Sequence, residues 1–241
     1  MLFPGAASVG TVFELGTVGS TFDAVDERAD HLTTWATLDQ RAGRGRLGRE
    51  WVSPAGKCLA ATILVRTKRM REDAIGWLPL AAGLALADAL GTLVADRASI
   101  KWPNDVLVDG RKVAGILCER RRTGVAVGFG VNLTLTEAEL PTAHATSLTL
   151  EGAEGTAPVL ADAVLCHVRR SLDALLPALG TEALRAAIAA ELSTIGRDVR
   201  VALPVGELVG RAVGLGPHGE LQVDTGDRIV DVRAGDVVHV R

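Results

Sequence analysis

The chain has 241 residues, 48% of them hydrophobic, and a formal net charge of −3 at neutral pH. That is enough apolar mass for one large domain, or a large one plus a small one, and it excludes a disordered chain. The mild acidity excludes overall attraction to nucleic acid or anionic lipid, and three scattered cysteines (Cys58, Cys118, Cys166) without a C-x-x-C pair exclude a disulfide framework and point to a reducing cytoplasm.

The N-terminal MLFPGAASVG has neither the basic start nor the unbroken apolar stretch of a secretory signal. A helix is expected over Thr21–Ala29, then strands over Thr33–Leu38 and Leu59–Val65. The alanine-rich Leu78–Leu93 reads as a helix; its core LPLAAGLALADAL is too short to cross a bilayer and is interrupted by Asp88, so it is expected inside the protein. Strands follow at Ile100–Trp102, Val106–Val108, Val113–Leu117 and Val125–Val131, with Asp109-Gly110 as a two-residue hairpin loop that accepts positive φ at both positions. Leu160, Val164, Leu165, Val168, Leu172 and Leu176 recur at helical spacing within Val159–Leu179, and TEALRAAIAAELS is a further helix. From about Ile195 short valine-rich runs are cut by glycine, the texture of a small all-β barrel. The fold class is therefore α/β (α+β), a mixed central sheet with packed helices plus a C-terminal β module, with domains expected at 1–193 and 194–241.

Two segments carry candidate chemistry. Asp39–Trp51, DQRAGRGRLGREW, sets Arg41, Arg44, Arg46 and Arg49 among Gly43, Gly45 and Gly48. Glycine lets backbone approach a ligand closely while guanidinium groups donate forked hydrogen bonds to carboxylate or phosphate. No G-K-[ST] follows, so this is not a Walker loop, and the glycines lack the G-x-G-x-x-G spacing of a dinucleotide fingerprint. A solvated glycine–arginine loop of RNA-binding type fits the segment taken alone equally well. In the second segment, IKWPNDVLVDGRKVAGIL, Pro103 ends a strand early and presents Asn104 and Asp105 at its lip. Read singly, Asn104 and Asp105 are turn formers, and Lys101 and Lys112 are surface lysines.

Together these segments resemble a known family. Q-x-A-G-R-G-R-x-G-R-x-W at Gln40–Trp51, K-W-P-N-D at Lys101–Asp105, [RK]-K-x-A-G-I-L at Arg111–Leu117, G-x-G-x-N at Gly128–Asn132 and the pair Ser20-Thr21 stand in the order and spacing of bacterial biotin protein ligases, the biotin–[acetyl-CoA-carboxylase] ligases. The resemblance covers essentially the whole chain and implies that the C-terminal module is an SH3-like β-barrel. The chain departs from the family's pattern at Phe22-Asp23, where asparagine commonly follows Ser-Thr, and at Arg41, commonly threonine. Only nineteen residues precede Ser20, too few for the family's N-terminal helix-turn-helix, so a single-function ligase that does not itself bind DNA is expected.

The resemblance implies activation of biotin by ATP to biotinyl-5′-AMP with release of pyrophosphate, then transfer to a lysine of a biotin carboxyl carrier protein or domain. It assigns biotin to Ser20, Thr21, Gln40, Gly43, Arg44, Lys112 and Gly115, with Lys112 and Arg44 catalytic. It assigns the nucleotide to Arg46, Arg49, Trp51, Lys101, Asn104 and Asn132, with Mg²⁺ arriving on ATP. Neither nucleic acid nor membrane is an expected partner; the enzyme is expected in the cytoplasm as a monomer or homodimer. The Gly43–Gly48 loop is expected to be mobile alone and ordered over ligand. The competing readings are a lipoate or octanoate ligase or transferase of the same fold and a non-enzymatic nucleic-acid-binding module.

Overall fold

In chain order, the computed structural model, which describes residues 1–68, 70–203 and 206–240, begins with a short helix α1 (Pro4–Val9) and strands β1 (Val12–Glu14) and β2 (Thr34–Thr37). A two-stranded hairpin, β3 (Gly43–Arg44) and β4 (Glu50–Trp51), precedes β5 (Cys58–Arg66) and the helix α2 (Leu78–Gly91). Then come β6 (Ala98–Lys101), β7 (Asp105–Val108), β8 (Arg111–Arg121) and β9 (Gly124–Asn132), followed by α3 (Ala157–Leu175) and α4 (Glu182–Glu191). A seven-stranded sheet has the order β1-β2-β5-β9-β8-β7-β6, with β1 parallel to β2 and the remaining neighbours antiparallel. The mixed central sheet of the α/β reading is thus present.

The period-2 alternation of β9 decides where the core and the site lie. Val125, Val127, Phe129 and Val131 join the hydrophobic core with Ala61, Ile63 and Val65 of β5. The intervening residues of β9, Gly124, Ala126, Gly128 and Gly130, alternate with these and make the other face. Against the core face lies α2, of whose fourteen residues all but Pro79 and Asp88 are buried. The run Glu72–Gly91 is long and apolar enough to cross a membrane by length and composition, yet 78% of its apolar window is buried within the fold. Its lack of a polar face follows from that position between the sheet and α3.

The expected helix at Thr21–Ala29 is only a 3-10 turn over Thr21–Ala24. Asp26 ends it: its side chain accepts from the Arg28 amide at 2.9 Å and its carbonyl from the Ala29 amide at 3.0 Å, a local turn that competes with helix propagation. Helix α3 stops at Leu175 and tightens into a 3-10 turn over Leu176–Ala178, which contains Pro177. The Asp109-Gly110 loop adopts φ of 47° and 81°, as the hairpin requires.

A second, five-stranded antiparallel sheet has the order β13-β12-β11-β10-β14, from β10 (Asp198–Ala202), β11 (Glu207–Leu215), β12 (Leu221–Asp224), β13 (Ile229–Val232) and β14 (Asp236–His239). Pro204, Val205 and Arg241 of the expected β module lie outside the described residues. Two tryptophans dock this sheet: Trp77 Nε1 donates to the Pro217 carbonyl and Trp102 Nε1 to the Gly219 carbonyl, each at 3.0 Å. Gly76 permits the approach, because a Cβ there would lie 2.8 Å from the His218 carbonyl oxygen.

Cys58 is 1% exposed, and burial pushes its thiol pKa up to about 11. At pH 8 only about one molecule in a thousand then carries that thiolate. Maleimide at pH 8 should therefore label half-buried Cys166 well before Cys58 in the folded protein, and peptide masses after a timed quench check this; equal labelling of the two would contradict it.

Candidate active site

The small residues of β8 and β9 form a floor. Gly115 of β8 lies directly opposite Gly130 of β9, and Leu117 opposite Gly128. A Cβ on Gly130 would lie 2.4 Å from Trp51 Cε2 and Nε1, and one on Gly128 would lie 2.2 Å from Phe22 Cζ. Both aromatic rings thus rest on bare backbone. Between floor and arginine hairpin lies a cavity of about 330 Å³, within the range of small-molecule sites.

One end is built by parallel alignment of residues 17–20 with 39–42. The Arg41 amide donates to the Val18 carbonyl at 2.9 Å and the Ala42 amide to the Gly19 carbonyl at 2.7 Å. This brings Ser20-Thr21 beside Gln40. Gln40 Oε1 accepts from the Thr21 amide at 2.9 Å, and the Thr21 and Thr62 hydroxyls are 2.7 Å apart. With its carbonyl end committed, Gln40 turns Nε2 toward Gly43, where it lies 2.8 Å from an ideal Cβ position. Gly43 is required here because its own Cβ would also fall 2.4 Å from the Trp51 carbonyl oxygen across the hairpin.

The cations ring the rest of the cavity, each with a carboxylate beside it or close by. Arg44 sits over the Phe22 ring at 5.2 Å and pairs with Asp23 at 2.9 Å and Glu119 at 3.3 Å. Lys112 Nζ lies 2.6 Å from Asp105 and 5.5 Å from the centre of the Trp51 ring. Arg49 pairs with Asp236 at 2.7 Å, and Arg46 Nη1 stands 3.9 Å from the same carboxylate. Arg46 also donates to Asn104 Oδ1 at 3.1 Å and to the Gly235 carbonyl at 3.3 Å. Burial pushes the Arg46 guanidinium and the Lys101 ammonium below their usual pKa values, with Asp236 opposing the shift in both and Asp105 doing the same. The site therefore favours an anionic occupant.

Of the residues singled out in the sequence, Ser20, Thr21, Gln40, Arg44, Arg46, Arg49, Trp51, Lys101, Asn104, Lys112 and Gly115 all line this one cavity. Gly43 does not line it but shapes its wall. Asn132 stands apart: it is 2% exposed, its Nδ2 donates to the Thr146 carbonyl at 2.9 Å, and it is absent from the lining. Asn104 is occupied as well, donating to the Ile116 carbonyl at 2.8 Å while accepting from Arg46, so it acts here by holding that arginine. Sequence reasoning missed Phe22, Asp23, Glu119 and Asp236. The first two carried a signal, since they are the departure from the Ser-Thr-Asn pattern; nothing local marks Glu119 or Asp236 as a partner of an arginine far along the chain.

Trp51 Nε1 is buried without a hydrogen-bond partner among the described residues. Such a donor in a ligand-sized cavity is available to a substrate oxygen. Among the described residues no group of three His, Cys, Asp or Glu side chains forms a metal site.

The chain resembles known proteins in sequence and in fold. Residues 26–134 match the Biotin/lipoate A/B protein ligase family, and residues 194–240 match the Biotin protein ligase C terminal domain. A Biotin--[acetyl-CoA-carboxylase] ligase of Mycobacterium tuberculosis is 38% identical over 229 residues, covering 92% of this chain and 82% of the relative. The structure of a biotin protein ligase from Aquifex aeolicus in complex with biotin and ATP superposes with a TM-score of 0.80 at 28% identity, over 96% of this chain and 99% of that one. A ligase from Leishmania major bound to biotinyl-5-AMP superposes with a TM-score of 0.61 at 26% identity, over 96% and 98% of the two chains. With a cavity floored by glycine and walled by arginine and lysine, and with similarity running through both of its sheets, the chain belongs to the biotin protein ligase family.

Proposed function

We infer that the protein is an ATP-dependent biotin ligase, which joins biotin to AMP with release of pyrophosphate and then transfers biotin to a lysine of an acceptor. The observation that carries this reading is the single cavity where the polar Ser20–Thr21–Gln40 end meets a ring of four cations, Arg46, Arg49, Lys101 and Lys112. A carboxylate and a polyphosphate repel each other, and fixed cations in a partly dry site offset that repulsion at the point where they must meet.

In this reading the ring of biotin lies against Ser20, Thr21 and Gln40, whose Nε2 and hydroxyl groups serve its polar edge, with its chain running along the cavity beside Trp51 toward Lys112. Lys112 meets the carboxylate oxygen as it attacks the α-phosphorus, and stabilises the charge on the oxygen that bridges the two. Arg46, Arg49 and Lys101 hold the phosphates, so the pyrophosphate leaves against positive charge. Arg44 closes the mouth over Phe22. In the second step the acceptor amine attacks the acyl carbon, loses a proton, and AMP departs with the bond electrons. Trp51 and the hairpin exclude water, which otherwise hydrolyses the mixed anhydride. Mg²⁺ suits this donor set, because it binds through phosphate oxygens and water with few protein ligands, and Asp105, which lines the cavity, would help to hold it; when bound it would neutralise phosphate charge.

We further propose that the acceptor is the carrier domain of a biotin-dependent carboxylase, that the enzyme works in the cytoplasm, and that residues 1–193 and 194–241 are separate domains. The change of sheet between Leu192, which bridges to Ile100, and Asp198 supports that division. The test is the intact mass of a biotin carboxyl carrier domain after incubation with the protein, Mg-ATP and either biotin or lipoate. Addition of one biotinyl group, dependent on ATP, is expected; modification by lipoate alone would move the enzyme to the lipoate branch of the fold.

A further inference from the structure

We propose that Asp236, the first residue of β14, is a stand-in for phosphate: it engages Arg46 and Arg49 while nucleotide is absent and yields them when ATP binds. The inference rests on the ATP-ligase reading above and adds to it a positioning residue from the second sheet.

Asp236 offers both oxygens to one donor, with Arg49 Nη2 at 2.7 Å from Oδ1 and 2.8 Å from Oδ2, as a phosphate would. It lines the same cavity as Lys101 and Lys112. Its neighbour Gly235 offers its carbonyl to Arg46, so two consecutive residues at the start of β14 clasp the arginine hairpin. Without a carboxylate there, Arg46, Arg49 and Lys101 would repel one another inside a half-buried pocket, and the hairpin would have little reason to stay over it. With phosphate present the same carboxylate becomes a repulsive neighbour.

The fold allows it to leave. β14 is the edge strand of its sheet and, among the described residues, pairs with β10 alone, so a small outward shift breaks none of the other ladders. The Asp236 side chain is already 37% exposed, so water can take over its solvation. The exchange also sorts anions. A monocarboxylate such as that of biotin offers the arginines no more charge than Asp236 does, whereas a triphosphate or pyrophosphate does, so the phosphate seat stays closed to the wrong substrate.

The test is Asp236→Asn, which keeps shape and an acceptor oxygen but removes the charge. Calorimetry should show pyrophosphate and ATP binding about threefold to fivefold more tightly than to wild type, the worth of a partly exposed ion pair, with biotin affinity unchanged. Trypsin should also cut the ligand-free variant faster at Arg44–Arg49. If Asp236 merely builds the loop, the variant will bind pyrophosphate more weakly; that result, or an unchanged affinity, overturns the proposal. Should the variant fail to fold, judged by loss of biotin binding, wild-type protein decides: hydrogen exchange in residues 233–240 should speed up on adding pyrophosphate, and slower or unaltered exchange there overturns the proposal. Wild-type protein that binds neither pyrophosphate nor ATP would overturn the ligase reading, and this proposal with it.

Discussion

Lys112→Ala should slow formation of biotinyl-5′-AMP by about 10²–10³-fold, the cost of removing one preorganised donor from a developing oxyanion. Lys112 lies just past the Asp109-Gly110 turn, on a strand whose next residues Val113 and Ala114 are in the core, so its Cα is held firmly while its ammonium reaches into the cavity. Its side chain is 35% exposed and packs chiefly on Trp51 and Asp105, so the fold should lose no more than about 0.5 kcal/mol. Two effects act in the same direction. The variant loses the cation that meets the attacking carboxylate, and it leaves Asp105 uncompensated beside the incoming phosphates. Lys112→Arg should recover only part of the rate, because a planar fork does not put one compact charge at the same point between Asp105 and the attacking carboxylate. Pyrophosphate release in a single turnover, set beside the unfolding midpoint, reads both quantities. A near-normal rate in Lys112→Ala would return this residue to an ordinary surface lysine.

The cations of the site were legible because they sit in local patterns, glycine beside arginine at Gly43–Arg49, a strand broken by Pro103 at Lys101–Asp105, and Lys112 just past the Asp109-Gly110 turn. Their partners were not. Arg44 is matched by Asp23 and Glu119, and Arg49 by Asp236, nearly two hundred residues on. Pairing over such separations leaves no periodicity in a single sequence. The second sheet was readable for the opposite reason: short valine-rich runs cut by glycine are a local texture, and β10 alternates exposed and buried along DVRVA as such a strand should. Asn132 shows the limit of a motif. It stands in G-x-G-x-N on the same face of β9 as the glycines that floor the site, but its amide is taken by the Thr146 carbonyl and it lies beyond the cavity lining. The helix expected at Thr21–Ala29 failed where an Asp26 side chain offered the backbone a better local partner than the next helical turn.

Gly130→Ala should lower kcat/KM for biotin activation by about 10²-fold, the scale of a misplacement of about 1 Å in a positioned group. The added methyl would fall 2.4 Å from Trp51 Cε2 and Nε1, far inside contact distance. The strand cannot retreat. β9 is hydrogen-bonded to β5 on one side and β8 on the other, and Val127, Phe129 and Val131 fix its far face in the core. Trp51 must yield instead, but its carbonyl already lies against Gly43 across the hairpin, so displacing the indole drags β4 and the arginines with it. Because the strain can escape into that hairpin, stability should fall by only about 1–3 kcal/mol, the usual cost of overpacking. A double-mutant cycle separates this mechanism from a general effect on the sheet. If the clash with Trp51 is the cause, Gly130→Ala made in a Trp51→Ala background should cost almost nothing further, since the methyl then enters space the ring has vacated. Additive losses in the cycle, or wild-type kcat/KM in Gly130→Ala alone, would show that the indole does not depend on bare backbone beneath it, and the glycine floor would lose its place in the mechanism.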